Sequence, residues 1–186
     1  MRIISGNFKG KTIFQPKDKS TRPLKDLTKE SIFNIIEHSN LFNIKIEKSH
    51  ILDLFSGAGS FGLECVSRGA LSVTFFENYK KVLPILKKNI FNIDLFKISK
   101  IVDHNIFDQK AFDNLKKKFD IIFLDPPYKE KKISQLLEKI IELNLLKKDG
   151  IFIIHRHKKE KDILPKKFKI LKEKSYGISK IIFGKN

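Results

Sequence analysis

The chain has one cysteine, no tryptophan, and arginine only at positions 2, 22, 68 and 156. A single cysteine, Cys65, cannot form an internal disulfide, so a reducing, cytoplasmic setting is expected. No apolar run approaches the roughly 18 residues that a membrane-spanning helix needs. Residues 1–11 carry charge without an apolar stretch, which argues against a secretory signal. These absences predict a protein that is neither stapled by disulfides nor inserted in a membrane.

Negative charge is also scarce, because 21 acidic residues face 38 lysines and arginines, for a formal net charge of +17. So large an excess favours a phosphate-binding surface and nucleic acid as the partner. Lysines occur along the whole chain, so a general compositional bias is the alternative interpretation. With 186 residues, 41% of them hydrophobic, the length suits one globular domain, perhaps with a small appendage.

The N-terminal part has its own pattern. Residues 2–15 contain two β-type runs around a glycine-containing turn and predict a hairpin, and residues 16–25 predict a polar loop. Asp26 or Thr28 is expected to cap a helix that reaches His38. The expected buried side of this helix is Leu27, Ile32, Ile35 and Ile36. We therefore assign residues 1–40 to an N-terminal extension and residues 41–186 to the main domain.

From His50 onward, short apolar runs alternate with helical periodicity. The predicted strands are 51–55, 72–76, 98–103, 120–124 and 150–155, and a final antiparallel pair is expected at 168–174 and 179–183. The predicted helices are one ending near 68 and those at 79–92, 109–118 and 131–146. This alternation predicts an α/β fold with a doubly wound, mostly parallel sheet. Ligands in such sheets bind beyond the carboxyl ends of the strands, at the topological switch point.

A glycine-rich segment follows the first predicted sheet strand. Gly57, Gly59 and Gly62 have the G-x-G-x-x-G spacing, and Glu77 ends the next strand. That combination is typical of a dinucleotide site, so the glycines alone leave a nicotinamide-dependent oxidoreductase open. Asp53 favours another ligand, because a carboxylate ahead of the glycines would repel a pyrophosphate.

An acid at position 53 suits a ligand that carries an ammonium group, such as the methionine part of S-adenosylmethionine. Glu77 is then expected to accept hydrogen bonds from the ribose hydroxyls, and Asp103 or Asn105, after the third strand, to reach the adenine edge. The neighbouring Phe55 and Asn78 are assigned to the same cofactor site.

The segment Asp125-Pro126-Pro127-Tyr128 closes the fourth predicted strand. Two prolines fix φ and remove two backbone donors, which leaves a cluster of carbonyl and carboxylate acceptors beside an aromatic ring. Such a loop suits a flat ring with an exocyclic amine. The Asp125 carboxylate and the Pro126 carbonyl would accept the two amine protons, and Tyr128 would stack on the ring. Positioning and acceptors placed where positive charge develops would lower the barrier to methyl transfer.

With both loops in place, the sequence resembles the class I S-adenosylmethionine-dependent methyltransferases with an Asp/Asn-Pro-Pro-Tyr/Phe motif. Within them it is similar to the bacterial small-subunit ribosomal RNA guanine-N2 methyltransferases over nearly its whole length. The matching segments are Arg2-Ile3-Ile4-Ser5-Gly6, Lys9-Gly10-Lys11, Thr21-Arg22-Pro23, Glu30-Ser31-Ile32-Phe33-Asn34, Asp53-Leu54-Phe55-Ser56-Gly57-Ala58-Gly59, Gly62-Leu63-Glu64, Ser67-Arg68-Gly69-Ala70, Glu77-Asn78 and Asp125-Pro126-Pro127-Tyr128.

This resemblance implies a seven-stranded sheet with an antiparallel last strand and an N-terminal hairpin that engages RNA. It implies cofactor contacts at Asp53, the Gly57–Gly59 loop, Glu77, and Asn105 with Ile106. The implied substrate is a guanine in assembled or partly assembled small-subunit RNA, and the expected enzyme is a monomer. Lys9, Lys11 and Arg22 are its candidate RNA contacts.

Three rival functions use parts of the same pattern. Adenine-N6 methylation of nucleic acid and methylation of a protein glutamine need the same loop chemistry, although 186 residues leave little room for a DNA-reading domain. A nicotinamide-dependent oxidoreductase is disfavoured by Asp53.

His104, His155 and His157 do not form a metal-binding pattern. The resembled family often has acidic residues at the positions of His155-Arg156-His157. Residues 155–159 are interpreted as a solvated basic strand end.

Overall fold

A computed structural model describes residues 1–17, 24–108 and 110–186. The helices are α1 (Asp26–His38), α2 (Ser60–Ser67), α3 (Leu83–Asn92) and α4 (Ile133–Glu142). The strands are β1 (His50–Leu54), β2 (Ser72–Phe76), β3 (Ser99–Val102), β4 (Phe119–Leu124), β5 (Leu146–His157), β6 (Lys169–Tyr176) and β7 (Ser179–Lys185). Within these ranges, none of the helices combines the length and apolar character needed to cross a membrane.

The strands form one seven-stranded sheet in the order β3-β2-β1-β4-β5-β7-β6. Strands β3, β2, β1, β4 and β5 are parallel, and β7 runs antiparallel to both β5 and β6. The expected doubly wound sheet with an antiparallel seventh strand is confirmed. After β1 the chain builds one half of the sheet and then returns to add β4 on the other side. The switch point therefore lies between the carboxyl ends of β1 and β4.

The two faces of the sheet bury separate apolar clusters, because successive strand residues point to opposite sides. Ile51 and Phe123 belong to the cluster that packs against α2 and the N-terminal segment. Leu52 and Leu124 belong to the cluster that packs against α4. In the first cluster the rings of Phe61 and Phe123 stack with centroids 4.0 Å apart. This packing places the start of α2 directly against the β1 and β4 ends.

The N-terminal segment has two antiparallel arms that form a single isolated bridge, Arg2 with Thr12, rather than a regular two-stranded ribbon. Its turn is fixed to α2. The buried Glu64 carboxylate accepts the backbone N–H groups of Ile4 and Ser5 at 2.8 and 2.9 Å and pairs with Lys29 at 3.4 Å. The hairpin is thus held to the main domain by a buried charge cluster.

Helix α1 differs from expectation in its buried face. Leu27 is 72% exposed, whereas Lys29 is fully buried. Lys29 takes the inward position because its ammonium group donates to the Arg2 carbonyl at 2.8 Å and faces Glu64. The expected Asp26 or Thr28 cap is also wrong, because the helix begins at Asp26 after Lys25 and has no side-chain cap hydrogen bond.

The helix predicted for residues 109–118 is wrong in the described part, 110–118, which consists of turns. Backbone N–H groups of Asp113 and Leu115 bond to carbonyls three residues earlier, at 3.2 and 2.9 Å. Such bonds close successive tight turns, whereas an α-helix needs bonds to carbonyls four residues earlier. Helix α4 is shorter than expected and β5 starts earlier, at Leu146.

Candidate active site

A cavity of about 460 Å³ opens at the switch point of the sheet. The sequence-predicted residues on its wall are Asp53, Phe55, Gly57, Glu77, Asn78, Asp125, Pro126, Pro127 and Tyr128. They come from the ends of β1, β2 and β4, whose carboxyl ends meet at one edge of the parallel sheet. The backbone N–H of Asp125 bonds to the Leu54 carbonyl at 3.3 Å, which joins the starts of the two loops.

Asp53 is the most buried acid of the cavity wall, with 1% of its surface exposed. Its Oδ2 accepts the backbone N–H of Gly62, at the start of α2, at 2.9 Å, while Oδ1 has no hydrogen-bond partner among the described residues. Burial raises the pKa of Asp53 well above its usual range, and the negative charges of Asp125 and Glu77 raise it further. A cationic ligand beside Oδ1 would stabilise the ionised form.

Glu77 holds the glycine loop from the neighbouring strand. Its Oε2 accepts the Gly57 N–H at 2.7 Å, and its Oε1 accepts the Tyr79 N–H at 2.8 Å. The loop needs this support because Phe55, Gly57 and Gly59 all have positive φ, at 59°, 54° and 84°. A Cβ at Gly59 would lie 2.7 Å from Leu86 Cδ1, so only glycine fits there without a shift.

The catalytic-loop candidate is held by the last residues of β5. His155 Nδ1 lies 2.7 Å from Asp125 Oδ1, and the ring edge of His157 meets Tyr128 with centroids 4.8 Å apart at 80°. The interpretation of residues 155–159 as a solvated basic end is therefore wrong at its first two positions, since His155 and Arg156 are 2% and 0% exposed.

Arg156 holds the same loop from the other face of β5. Its guanidinium donates to the carbonyls of Pro127 and Glu130 at 3.2 and 2.9 Å. It also forms a bidentate pair with Asp162 at 2.8 and 2.9 Å, the geometry that compensates best for burying a guanidinium. No local sequence signal marks this role, because the loop lies 26 to 29 residues before Arg156.

Several predicted site residues lie outside the cavity wall. Gly59 shapes the glycine loop without lining the cavity. Ile106 packs in the apolar cluster on the α4 side of the sheet. Asn105 is exposed, and its side-chain oxygen accepts the Phe107 N–H at 3.0 Å. Lys9 and Lys11 are exposed on the N-terminal turn. Arg22 lies outside the described residues.

The N-terminal segment also contributes to the cavity, which the sequence motifs did not predict: Gln15, Pro16 and Leu24 form part of the wall. The buried Asn89 of α3 connects this segment to the glycine loop. Its amide exchanges hydrogen bonds with the backbone of Phe14 at 2.8 and 3.0 Å and donates to the Ala58 carbonyl at 2.8 Å. The polar Asn89 on a helix otherwise buried through Leu86 and Ile90 was the available signal.

The sheet has seven strands with an antiparallel β7, and it carries one acid near the carboxyl end of β1 and another directly after β2. These features define the Rossmann-like architecture of class I methyltransferases. The sequence belongs to the family described as Conserved hypothetical protein 95, which matches residues 1–185.

Named relatives and solved structures agree with this class. A Ribosomal RNA small subunit methyltransferase D of Buchnera aphidicola subsp. Baizongia pistaciae is 37% identical over 84% of this chain and 76% of its own. The protein of that name from Haemophilus influenzae is 34% identical over 96% of this chain and 90% of its own. The structure of the candidate methylase HI0767 from Haemophilus influenzae has a TM-score of 0.73 at 30% identity, over 98% and 96% of the two chains.

A more distant solved structure, SMU.776, was described as a candidate methyltransferase complexed with SAH. It is 19% identical, with a TM-score of 0.62 over 84% of this chain and 49% of its own. At that identity the likeness concerns the fold. The predicted class, an S-adenosylmethionine-dependent methyltransferase with a Rossmann-like sheet, is confirmed by the relatives named ribosomal RNA methyltransferases and by the 30% identical structure.

Proposed function

We propose that this protein transfers a methyl group from S-adenosylmethionine to the exocyclic N2 of a guanine in small-subunit ribosomal RNA. One observation carries the proposal. Asp53, Glu77 and Asp125 converge on one cavity wall beside the Asp-Pro-Pro-Tyr loop, in a chain whose formal net charge is +17. Concentrated negative charge in a basic protein suits a cationic donor within the cavity and an anionic polymer outside it.

The donor half of the cavity is the β1–β2 side. The open Oδ1 of Asp53 suits the ammonium group of the methionine part, and Glu77 retains lone pairs for ribose hydroxyls beyond its two backbone bonds. Phe55, Gly57 and Asn78 line the space between them. We assign Asn105 and Ile106, which follow β3 on the next strand outward, to the adenine end of the donor. When bound, S-adenosylmethionine supplies the electrophilic methyl group.

The acceptor half is the loop after β4. We assign Asp125 and the carbonyl of Pro126 to accept the two protons of an exocyclic amine, and Tyr128 to stack on the base. An amine conjugated to a purine is a weak nucleophile, so its alignment with the methyl group lowers the barrier by positioning. The two acceptors stabilise the positive charge that develops on nitrogen. Pro126 and Pro127 keep the loop free of competing backbone donors.

The RNA-facing part is the N-terminal segment, residues 1–40. It presents the exposed Lys9 and Lys11 and also contributes Gln15 and Pro16 to the cavity wall, so one segment connects the polymer to the site. Arg22 is the third proposed RNA contact. The relatives named ribosomal RNA small subunit methyltransferase D support small-subunit ribosomal RNA as the substrate. The proposed substrate is a cytoplasmic small-subunit assembly particle, and the proposed active form is a monomer.

The proposal is tested by mass mapping of small-subunit RNA from cells that lack the gene. One N2-methylguanine should disappear and return with the wild-type gene. Asp125→Ala should lower methyl transfer at least about 100-fold, because it removes an acceptor for developing charge. Its affinity for S-adenosylmethionine, measured by calorimetry, should stay within about threefold of the wild-type value. A threefold change in affinity corresponds to less than about 1 kcal/mol. The exposed Asp113 gives a matched control, Asp113→Ala, with wild-type activity.

Different failures have different meanings. Unchanged small-subunit RNA would overturn the substrate, and a lost methyladenine would replace guanine with adenine. Binding of NAD in place of S-adenosylmethionine would overturn the donor. An active Asp125→Ala variant would remove the catalytic role of Asp125.

A further inference from the structure

The surface at α3 carries a cluster of exposed aromatic side chains. Phe91 and Phe96 are 70% and 53% exposed, and their rings meet edge to face with centroids 5.6 Å apart. Phe14 of the N-terminal segment is 36% exposed, and Lys88 Nζ lies 4.0 Å from the centroid of its ring. These four residues, Phe14, Lys88, Phe91 and Phe96, are called the α3 ridge below. Single exposed apolar residues are ordinary on protein surfaces, whereas clustered ones mark interaction sites.

The α3 ridge begins beside the cavity. The amide of the buried Asn89 exchanges two hydrogen bonds with the backbone of Phe14, at 2.8 and 3.0 Å, which fixes this part of the N-terminal segment to α3. The two residues that follow Phe14 line the cavity. From Lys88 to Phe91 the helix advances by about 4.5 Å, and residues three apart are neighbours on a helix surface. A strand with its target base in the cavity would therefore reach the ridge with its flanking nucleotides.

The charge around the α3 ridge suits an anionic partner. Residues 80–97 contain exposed lysines at positions 80, 81, 87, 88 and 97, and their one acid is Asp94. The cation–π contact with Phe14 holds the Lys88 ammonium group at the ridge, where it can pair with a phosphate. Lysine is depleted at protein–protein interfaces, so the same composition argues against a protein partner.

Aromatic rings beside lysines are the combination that binds single-stranded nucleic acid, because bases stack on the rings while the cations follow the backbone. We propose that the α3 ridge binds the unpaired nucleotides that flank the target guanine, with bases stacked on Phe91 and Phe96 and a phosphate at Lys88. The inference rests on the proposed function, which supplies RNA as the substrate. It adds a stacking surface to the RNA contacts proposed for the N-terminal segment.

The stacking is tested by fluorescence anisotropy of the intact chain with a labelled oligouridylate of about 12 nucleotides, a length that single-strand sites cover. Phe91→Leu keeps an apolar side chain but removes the flat ring, so affinity should fall about 5- to 100-fold, the effect of losing one stacked base. Phe91→Tyr keeps the ring and should bind within about threefold of the wild type. The control is Ile170→Ala, at a 47% exposed position of β6 on the far side of the sheet, with wild-type affinity.

The phosphate contact is tested by the salt dependence of the same binding. Lys88→Gln should lower the slope of log affinity against log salt concentration by about 0.7, the contribution of one phosphate contact on a single strand. The exposed Lys169 of β6 provides the control, Lys169→Gln, with an unchanged slope. Equal changes in the two lysine variants would mean that charge is spread over the whole surface, and would overturn the phosphate contact.

Thermal unfolding accompanies the binding experiments, and Phe96→Leu repeats the test at the second ring. Wild-type affinity in the folded Phe91→Leu and Phe96→Leu variants would overturn the proposal. So would equal losses in Phe91→Leu and Phe91→Tyr, because the flat ring would then not be the determinant. A wild type that does not bind the oligouridylate would leave the ridge to another partner, such as a protein, and would also overturn it. Binding that depends on Phe91, in a protein that leaves small-subunit RNA unmethylated, would instead count against the proposed function.

Discussion

The two loops at the switch point are held in different ways. The glycine loop after β1 is held by carboxylates of the cavity wall itself: Asp53 accepts the Gly62 N–H and Glu77 accepts the Gly57 N–H, at 2.9 and 2.7 Å. The proline loop after β4 is held by His155 and Arg156 of β5, and neither of these residues lines the cavity.

Because the two loops are held differently, mutations in them are expected to have different effects on donor affinity and on stability. In the glycine loop the same carboxylate supports the backbone and lines the proposed donor site, so a change there is expected to alter donor affinity and stability together. In the proline loop these tasks belong to different side chains, because Arg156 anchors carbonyls while Asp125 is the proposed acceptor for the amine. The largest effect on folding is therefore expected at Arg156, and the clearest effect on the donor is expected at the two acids.

Arg156→Met should destabilise the protein by about 3–5 kcal/mol, the usual cost of removing one member of a buried, hydrogen-bonded ion pair. The fully buried guanidinium leaves behind the Asp162 carboxylate and the carbonyls of Pro127 and Glu130. Urea unfolding measures the change. Lys131→Met is the matched control: its pair with Glu160, at 2.8 Å, has a lysine side chain that is 75% exposed. That substitution should cost at most about 1 kcal/mol.

If Arg156→Met lowers the free energy of unfolding by less than about 1 kcal/mol, the Arg156–Asp162 pair contributes no more than an exposed ion pair does. The proline loop would then not depend on the guanidinium, and the contrast between the loops would fail.

The same contrast explains which features the sequence predicts. The partners within the glycine loop are 9 and 20 residues apart, within one strand-loop-helix unit and its neighbouring strand, so a local motif reveals them. The supports of the proline loop lie 26 to 30 residues beyond it, and a His-Arg-His strand end by itself resembles a solvated basic tip. Only the pairing of β4 with β5 brings these residues together.

The helical periodicity of α1 predicted part of its buried face wrongly, because a charged residue occupies a buried position there. Lys29 takes a buried position of α1 in place of Leu27 because Glu64 compensates its charge at 3.4 Å. Burial lowers the pKa of Lys29, and Glu64 opposes that shift. The strand order, in contrast, followed from the alternation of strands and helices, since right-handed crossovers leave few topologies.

Glu77→Gln tests whether one carboxylate performs both tasks in the glycine loop. A glutamine offers one oxygen, so either Gly57 or Tyr79 loses its acceptor and the charge is lost. Hydrogen bonds to charged groups contribute about 1.5–3 kcal/mol, so affinity for S-adenosylmethionine should fall about 10- to 100-fold in calorimetry. The kcat at saturating donor should change little. The exposed Glu138 gives the control Glu138→Gln; a large loss of kcat without weaker donor binding would contradict the assignment.

Asp53→Asn should change the stability of the fold in the opposite direction, by raising it. Burial raises the pKa of Asp53 in the folded chain above its ordinary value of 3.8, so the folded state binds more protons than the unfolded state between the two values. Stability of the wild type therefore falls as pH rises through that window. Asparagine does not ionise and keeps an acceptor for the Gly62 N–H.

The variant should match the wild type in acid and become more stable above the ordinary pKa of 3.8. The difference should grow by up to about 1.4 kcal/mol per pH unit until the folded carboxyl ionises. Urea unfolding from acid to neutral pH measures it, with Asp113→Asn as the exposed control. Affinity for S-adenosylmethionine should fall at least about tenfold, because the ammonium group loses a charged partner. Parallel stability curves for variant and wild type would mean that the buried acid carries no charge penalty, and Asp53 would then hold its loop without being poised for a cation.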